Sequence, residues 1–356
     1  DFLTDATASE KPWAFWYGST EPHRAYEYRA GIEKGGKSPE DVDRVPKYWP
    51  DNETVRTDML DYAFEIEYFD MHLLRIIEHL EGKGLLDNTL IVVTSDNGMP
   101  FPRVKGNEYI HSNHLPLAIM WKDGIQKPGR EIDDFVSFID FAPTFLEVAE
   151  LAPENSTMAA QTGASLVPIF QSEKAGHVIP ERDHVLIGKE RHDAGRPNDW
   201  GYPIRGIVTA EHLYLHNYEP ERWPAGDPIT GYLNTDGSPT KTWILDARRS
   251  RENTHYWNLN FGKLPPEELY ELKDDIDCVN NLAESEAMQK TKQQLRERME
   301  EKLHQQEDPR MEGKGSVFDN YIISTDSKDF HKRFNKGEPT RAGWVNPGDF
   351  EKENPE

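Results

Sequence analysis

The sequence predicts an α/β fold: a mixed, mostly parallel sheet flanked by helices, then a smaller C-terminal α+β unit with an antiparallel sheet. Three observations predict it. Leu90-Ile91-Val92-Val93 is a short, β-branched apolar run bounded by turn signals, the pattern of a strand buried on both faces. A helix-period stretch at 52–83 precedes it, and an aromatic apolar run at 12–19 precedes the helix. Strand, crossover helix and strand make a right-handed βαβ unit. Farther on, residues 204–210 and 213–217 alternate as paired antiparallel strands do.

Taken in order, PWAFWYGS (12–19) reads as a buried strand running into the polar turn Thr20-Glu21-Pro22-His23-Arg24. Residues 25–50, rich in Gly, Pro and charge, read as a surface loop. In the helix over 52–83, Val55, Met59, Tyr62, Ala63, Ile66, Phe69, Leu73, Ile76, Ile77 and Leu80 recur at spacings of three and four, and Gly82 and Gly84 end it. LPLAIM (115–120) predicts another strand. Residues 133–151 predict a second amphipathic helix, kinked or restarted at Pro143. The apolar segment 185–188 opens the smaller unit, Trp243–Leu245 offers it a third strand, and 268–272 an edge strand. Residues 285–305 predict a charged helix supported by Met288, Leu295, Met299 and Leu303. From Glu307 onward Gly, Pro and charge predict an extended, loosely ordered tail. The expected divisions are therefore 1–184, 185–306 and 307–356, with no internal repeats.

Composition narrows the function. Among 356 residues, 64 are acidic and 41 basic, for a net charge of −23. Such a surface disfavours nucleic acid and anionic lipid, and a polyanionic ligand would need a local basic pocket to overcome it. Mean hydropathy is −0.80, and no apolar run approaches the roughly 20 residues of a membrane span. The single cysteine, Cys278, rules out an intrachain disulfide and reads as an incidental thiol. The first residues, Asp1-Phe2-Leu3-Thr4, form no signal peptide and lack an initiator methionine, so the chain reads as starting within a longer polypeptide.

The chemistry concentrates at the end of the 90–94 strand. Asp96 and Asn97 place a carboxylate and an amide oxygen where open α/β sheets hold ligands. Adjacent hard oxygen donors suit Ca²⁺ or Mg²⁺ rather than zinc. Lys105 follows nine residues on. His23 sits in a strand-end turn, His111 and His114 in the loop 109–116, and His192 beside Lys189 and Arg191 in GKERHD.

Four segments, in order, resemble the type I sulfatases of the alkaline-phosphatase superfamily, and most closely the sulfamidase (heparan N-sulfatase) branch. They are Glu21-Pro22-His23-Arg24, the run TSDNGMPFP (94–102), FIDFAPTFLEV (138–148) and ELYELKDDIDCVNNLA (268–283). The resemblance covers residues 12–302 and implies an alkaline-phosphatase-like fold and a hydrolase of sulfuric esters or sulfamates. Its substrate would be a sulfated sugar, N-sulfoglucosamine of heparan-type glycans among the candidates. It implies Asp96 and Asn97 as half of a Ca²⁺ shell, with Mg²⁺ the lesser alternative. Lys105 and His23 become catalytic groups at the sulfate and leaving atom, and His111, His114 and His192 become substrate contacts. Export to a periplasmic, secreted or lysosome-like compartment is implied by analogy.

The family's Cys/Ser-x-Pro-x-Arg nucleophile motif, whose Cys or Ser becomes formylglycine, is absent, as are its Asp-Asp pair and Lys-x-His segment. The chain thus resembles the latter two-thirds of a sulfatase. On this reading it is inactive and marginally stable alone, its formylglycine belonging to the missing N-terminal part. A non-catalytic fragment or decayed relative that at most binds carbohydrate, and a phospho- or phosphonate hydrolase of the same superfamily, are the alternatives.

Overall fold

The computed structural model describes residues 2–8, 11–152, 155–338, 340 and 342–355. Chain order gives α1 (Phe2–Ala8), α2 (Ala30–Glu33), α3 (Glu53–Gly82), β1 (Ile91–Thr94), α4 (Ile110–Asn113) and β2 (Leu117–Met120). Then come α5 (Phe141–Val148), α6 (Val167–Phe170), β3 (His184–Lys189), β4 (Ile204–Thr209) and β5 (His212–Asn217). The remainder is α7 (Pro239–Arg249), α8 (Thr254–Phe261), β6 (Glu267–Glu271), α9 (Gln289–Gln305) and α10 (Phe330–Asn335). β1 and β2 form a two-stranded sheet, and β3-β4-β5-β6 a four-stranded one. The chain divides into two compact units, each discontinuous in sequence. The first comprises Asp1–Pro22, Tyr68–Ile91 and Ile119–Asp183; the second, His23–Glu67, Val92–Ala118 and His184–Glu356.

In the first unit Leu166, Val167, Ile169 and Phe170 form a buried cluster under Leu90, Ile119, Trp121, Phe141 and Val148. Arg182 pairs with Asp140 at 2.8 Å, and both are nearly buried. Residues 12–19, expected as a buried strand, form none. Trp16 is 90% exposed and Phe15 59%, and the segment joins no ladder among the described residues. Apolar composition alone does not make a strand; a hydrogen-bonding partner does. The helix expected over 133–151 is shorter. A 3₁₀ turn, Phe138–Asp140, leads into α5, and Pro143 sits in its first turn. There its missing N–H costs nothing, so it helps start the helix instead of kinking it.

In the second unit β3 to β6 run antiparallel, with Leu186 opposite Ile207, Ile207 opposite Tyr214 and Tyr214 opposite Leu269. Ile207, Tyr214 and Leu269 meet Leu295, Met299 and Leu303 of α9, the spacing-of-four stripe legible in the sequence. β6 is an edge strand, as expected. Trp243–Leu245, expected as a strand, lies inside α7, which Ser238 caps by accepting the Lys241 N–H at 3.0 Å and Pro239 opens. A second cluster gathers Tyr48, Trp49, Val55, Phe101, Tyr232, Ile244, Leu245 and Trp257. The 25–50 segment is therefore not all surface loop: Tyr48 and Trp49 are each 1% exposed.

The expectation of a loosely ordered tail fails more fully. Phe330 and Ala342 are buried with Ala194 and Leu233, and Asp349 pairs with Lys241 at 3.0 Å, both side chains fully buried. Lys241 also donates to the carbonyls of Gly231 (2.9 Å) and Thr235 (2.8 Å). Trp344 Nε1 donates to Leu233 O at 2.9 Å, and Gly237 N to Trp344 O at 2.7 Å. A few specific buried contacts, invisible to composition, order this polar segment.

Candidate functional site

All seven residues singled out from the sequence lie in the second unit. Past β1, Thr94 Oγ1 donates to Pro116 O (2.8 Å) and Ser95 Oγ to Asn97 O (2.8 Å), folding the chain into a tight turn. Only glycine fits at position 98, where a Cβ would lie 2.3 Å from His111 O. Asp96 is exposed and makes no hydrogen bond among the described residues. Asn97 Nδ2 donates to Gly98 O at 2.9 Å, leaving Oδ1 without a donor. The pair thus offers two hard oxygens, the right chemistry for Ca²⁺ or Mg²⁺. A calcium shell takes about six to eight, and among the described residues no group of three or more His, Cys, Asp or Glu could hold a metal. The donor type fits; the donor count does not complete a shell.

His23 is exposed, its ring hydrogen-bonded with Arg24 O. Arg24 forks onto Asp58 at 2.7 and 3.0 Å, donates from Nε to Pro100 O at 2.8 Å, and stacks over Phe101 at 4.4 Å. Asp58 is held in turn by Thr240 Oγ1 at 2.6 Å. Arg24 therefore fastens the His23 turn to the loop that follows Asp96 and Asn97.

Lys105 pairs with Asp236 at 2.9 Å, the two side chains 13% and 7% exposed. Beside it Gly106 takes a positive φ of 73°, and a Cβ there would sit 2.7 Å from His192 Cδ2 and 3.2 Å from Asn234 O. Three loops thus converge, at 105–106, 192–193 and 234–236. His192 reaches solvent yet is ringed by protein and cations. Lost hydration, then Lys189, Lys105 and Arg196, pull its imidazole down to about 4, so it is neutral at physiological pH. Burial, reinforced by Asp236, pushes the Asp193 carboxyl up to about 6 against the Ala194 N–H, Lys105 and Arg196.

Buried cations stand behind this recess. Lys189, at the end of β3, donates to Gly106 O; burial lowers its pKa while Glu108, itself raised by burial, opposes the fall. Arg196 is 2% exposed, donates to Trp223 O (2.7 Å) and Pro224 O (2.8 Å), and has no carboxylate ion-pair partner among the described residues. Burial draws its guanidinium down to about 10, leaving it cationic at neutral pH. This junction thus gathers the cations Lys105, Lys189 and Arg196 with the carboxylates Asp236, Asp193 and Glu108 around a neutral imidazole.

The other candidates stand differently. His111 Nε2 lies 3.2 Å from Asp277 Oδ1, and its ring meets Tyr48 with centroids 6.2 Å apart. Arg44 and the Lys47 N–H hold that same carboxylate, below its ordinary pKa despite burial. His114, past the end of α4, is exposed. Cys278 is buried and its thiol pushed up to about 12 by that burial, so it is unreactive. Asp236, Asp193 and Arg196 escaped the sequence reading. Asn234-Thr235-Asp236-Gly237 signals only a turn, and nothing local announces the other two.

The first 151 residues match the family model described as Sulfatase. The chain is 26% identical over 262 residues to an ulvan-active sulfatase of Formosa agariphila, covering 72% of this chain and 40% of that protein. It is 22% identical over 336 residues to human N-sulphoglucosamine sulphohydrolase, covering 85% and 62%. It therefore spans less than two thirds of either relative's length. A solved protein of Bacteroides thetaiotaomicron, from a genetic locus for metabolism of multiple glycosaminoglycans, superposes with a TM-score of 0.60 at 20% identity, covering 90% of this chain and 60% of that one. At that identity the likeness shows the fold, which is the alkaline-phosphatase-like α/β fold of sulfatases.

Proposed function

We propose, from the match of residues 1–151 to the sulfatase family model, that the protein hydrolyses sulfuric esters or sulfamates on sulfated sugars, N-sulfoglucosamine among them. One observation supports the reading: the Lys105 and His192 loops meet beside the cations Lys189 and Arg196, in the unit that also holds His23, Asp96 and Asn97. Sulfuryl transfer builds negative charge on the sulfuryl oxygens and the leaving atom, and fixed cations aimed there lower the barrier. Lys105, held by Asp236, supplies one such charge. His23, accessible to solvent, protonates the departing amine or alcohol. Neutral His192 hydrogen-bonds the ligand without adding a charge that must be desolvated.

Asp96 and Asn97 would hold part of the shell of a divalent cation, Ca²⁺ in this reading, which when bound orients a sulfuryl oxygen. The formylglycine that the family resemblance implies has no Cys/Ser-x-Pro-x-Arg motif in these 356 residues, so the test below uses a polypeptide that carries one. His111 serves the Asp277 ion cluster, and His114 stays at the rim. No helix among the described residues is long and apolar enough to cross a membrane.

The test is release of inorganic sulfate by the complete polypeptide, formylglycine installed and Ca²⁺ supplied, from N-sulfated and O-sulfated glucosamines. Release from either supports the reading. Release from neither, with turnover of a phosphodiester, moves the protein to phosphoryl chemistry.

A further inference from the structure

Where the 105–106, 192–193 and 234–236 loops meet stands a carboxylate with no ion-pair partner among the described residues. Asp193 accepts one hydrogen bond, from the Ala194 N–H at 2.7 Å, and pairs with no Lys, Arg or His among the described residues. Its neighbour Asp236 differs in this respect, being committed to Lys105 at 2.9 Å. Asp193 is partly accessible and lies within electrostatic reach of Asp236, Lys105 and Arg196. Water satisfies its free acceptor capacity in the unliganded protein, so a ligand that displaces this water must supply hydrogen-bond donors in its place.

An anion cannot do so. The same ligand that brings a sulfate to Lys105 must therefore bring hydrogen-bond donors to Asp193. A sugar ring does this, because its hydroxyls and any free amine lie a few bonds from the sulfated atom. An aryl sulfate or inorganic sulfate carries no such donors.

We propose that Asp193 is a specificity-determining residue, accepting hydrogen bonds from the hydroxyl or amine donors of the sugar whose sulfo group lies against Lys105. This rests on the sulfated-sugar reading above, and the experiment separates the two. The complete polypeptide, supplied with Ca²⁺ and left without formylglycine so that nothing turns over, and its Asp193→Ala and Asp193→Glu variants are titrated calorimetrically with glucosamine 2-N-sulfate and, separately, with inorganic sulfate. The expectation is a loss of ten-fold or more in affinity for the sulfated sugar in Asp193→Ala. Inorganic sulfate should bind that variant within two-fold of the unaltered protein, and Asp193→Glu should recover part of the sugar affinity. Equal losses for both ligands would make Asp193 a structural support, and no loss for either would make it a bystander; each overturns the inference. If the unaltered protein binds neither ligand, the recess is not an anion site and the reading beneath falls with the inference. Circular dichroism of each variant keeps misfolding distinguishable from lost recognition.

Discussion

Residues 12–19 and 330–350 invert what composition suggests. The first is among the most apolar stretches of the chain, and the structure leaves it outside any helix or strand, with Trp16 90% exposed. The second is rich in Lys, Arg, Gly and Pro, yet Phe330 is 2% and Asp349 0% exposed. The difference is partners. A strand needs a ladder before its side chains have a core to enter, and 12–19 has none among the described residues. The C-terminal segment needs only a few anchors, and the Lys241–Asp349 pair, Trp344 and Phe330 provide them. Apolar content measures willingness to be buried; order requires something to be buried against.

The largest expected effect breaks the anchored side of this contrast. Lys241→Met leaves Asp349 as an uncompensated buried charge and frees the carbonyls of Gly231 and Thr235. Urea unfolding should show a loss of about 3–5 kcal/mol; a loss below about 1 kcal/mol would mean that the segment is not anchored there. Phe330→Ala should cost about 3 kcal/mol, as an aromatic removed from a closed cluster does. Gly106→Ala introduces a Cβ at positive φ against His192, so anion affinity should fall with a stability loss of about 1 kcal/mol. Unchanged sulfate affinity would separate Lys105 from His192.

A smaller effect concerns pH. Asp193 titrates near 6 when folded, above the ordinary carboxylate value of 3.8. Between those values the folded state keeps a proton that the unfolded state has released. This contribution to stability is full below pH 3.8 and is lost as pH rises through 6. Asp193→Asn should remove that slope and stabilise the protein at pH 7 by about 1 kcal/mol, the full shift being discounted for partial exposure. The smallest effect lies on the unanchored side: Trp16→Ser should change stability by no more than about 0.5 kcal/mol. A larger loss would show that 12–19 is buried after all.

What could be read in advance was local. The periodicity of α3 and α9, the apolar run of β1, the alternation of β4 and β5 and the edge position of β6 depend on near neighbours in the chain, and sequence carries them. So do Asp96, Asn97 and Lys105, whose motif is contiguous. Trp243–Leu245 went astray because three apolar residues fit strand and helix alike, while the Ser238-Pro239 cap that decides the matter precedes them. Asp236, Asp193 and Arg196 were not legible because their significance comes from meeting Lys105 across spans of 88 to 131 residues. Spacing along the chain cannot report such meetings.

Whether His23 and His192 serve one ligand is tested most directly by the histidine ring signals of ¹⁵N-labelled protein during titration with glucosamine 2-N-sulfate. The prediction is that both rings respond along a single saturation curve. Movement of one ring without the other, or two curves with different midpoints, would contradict a shared anion site.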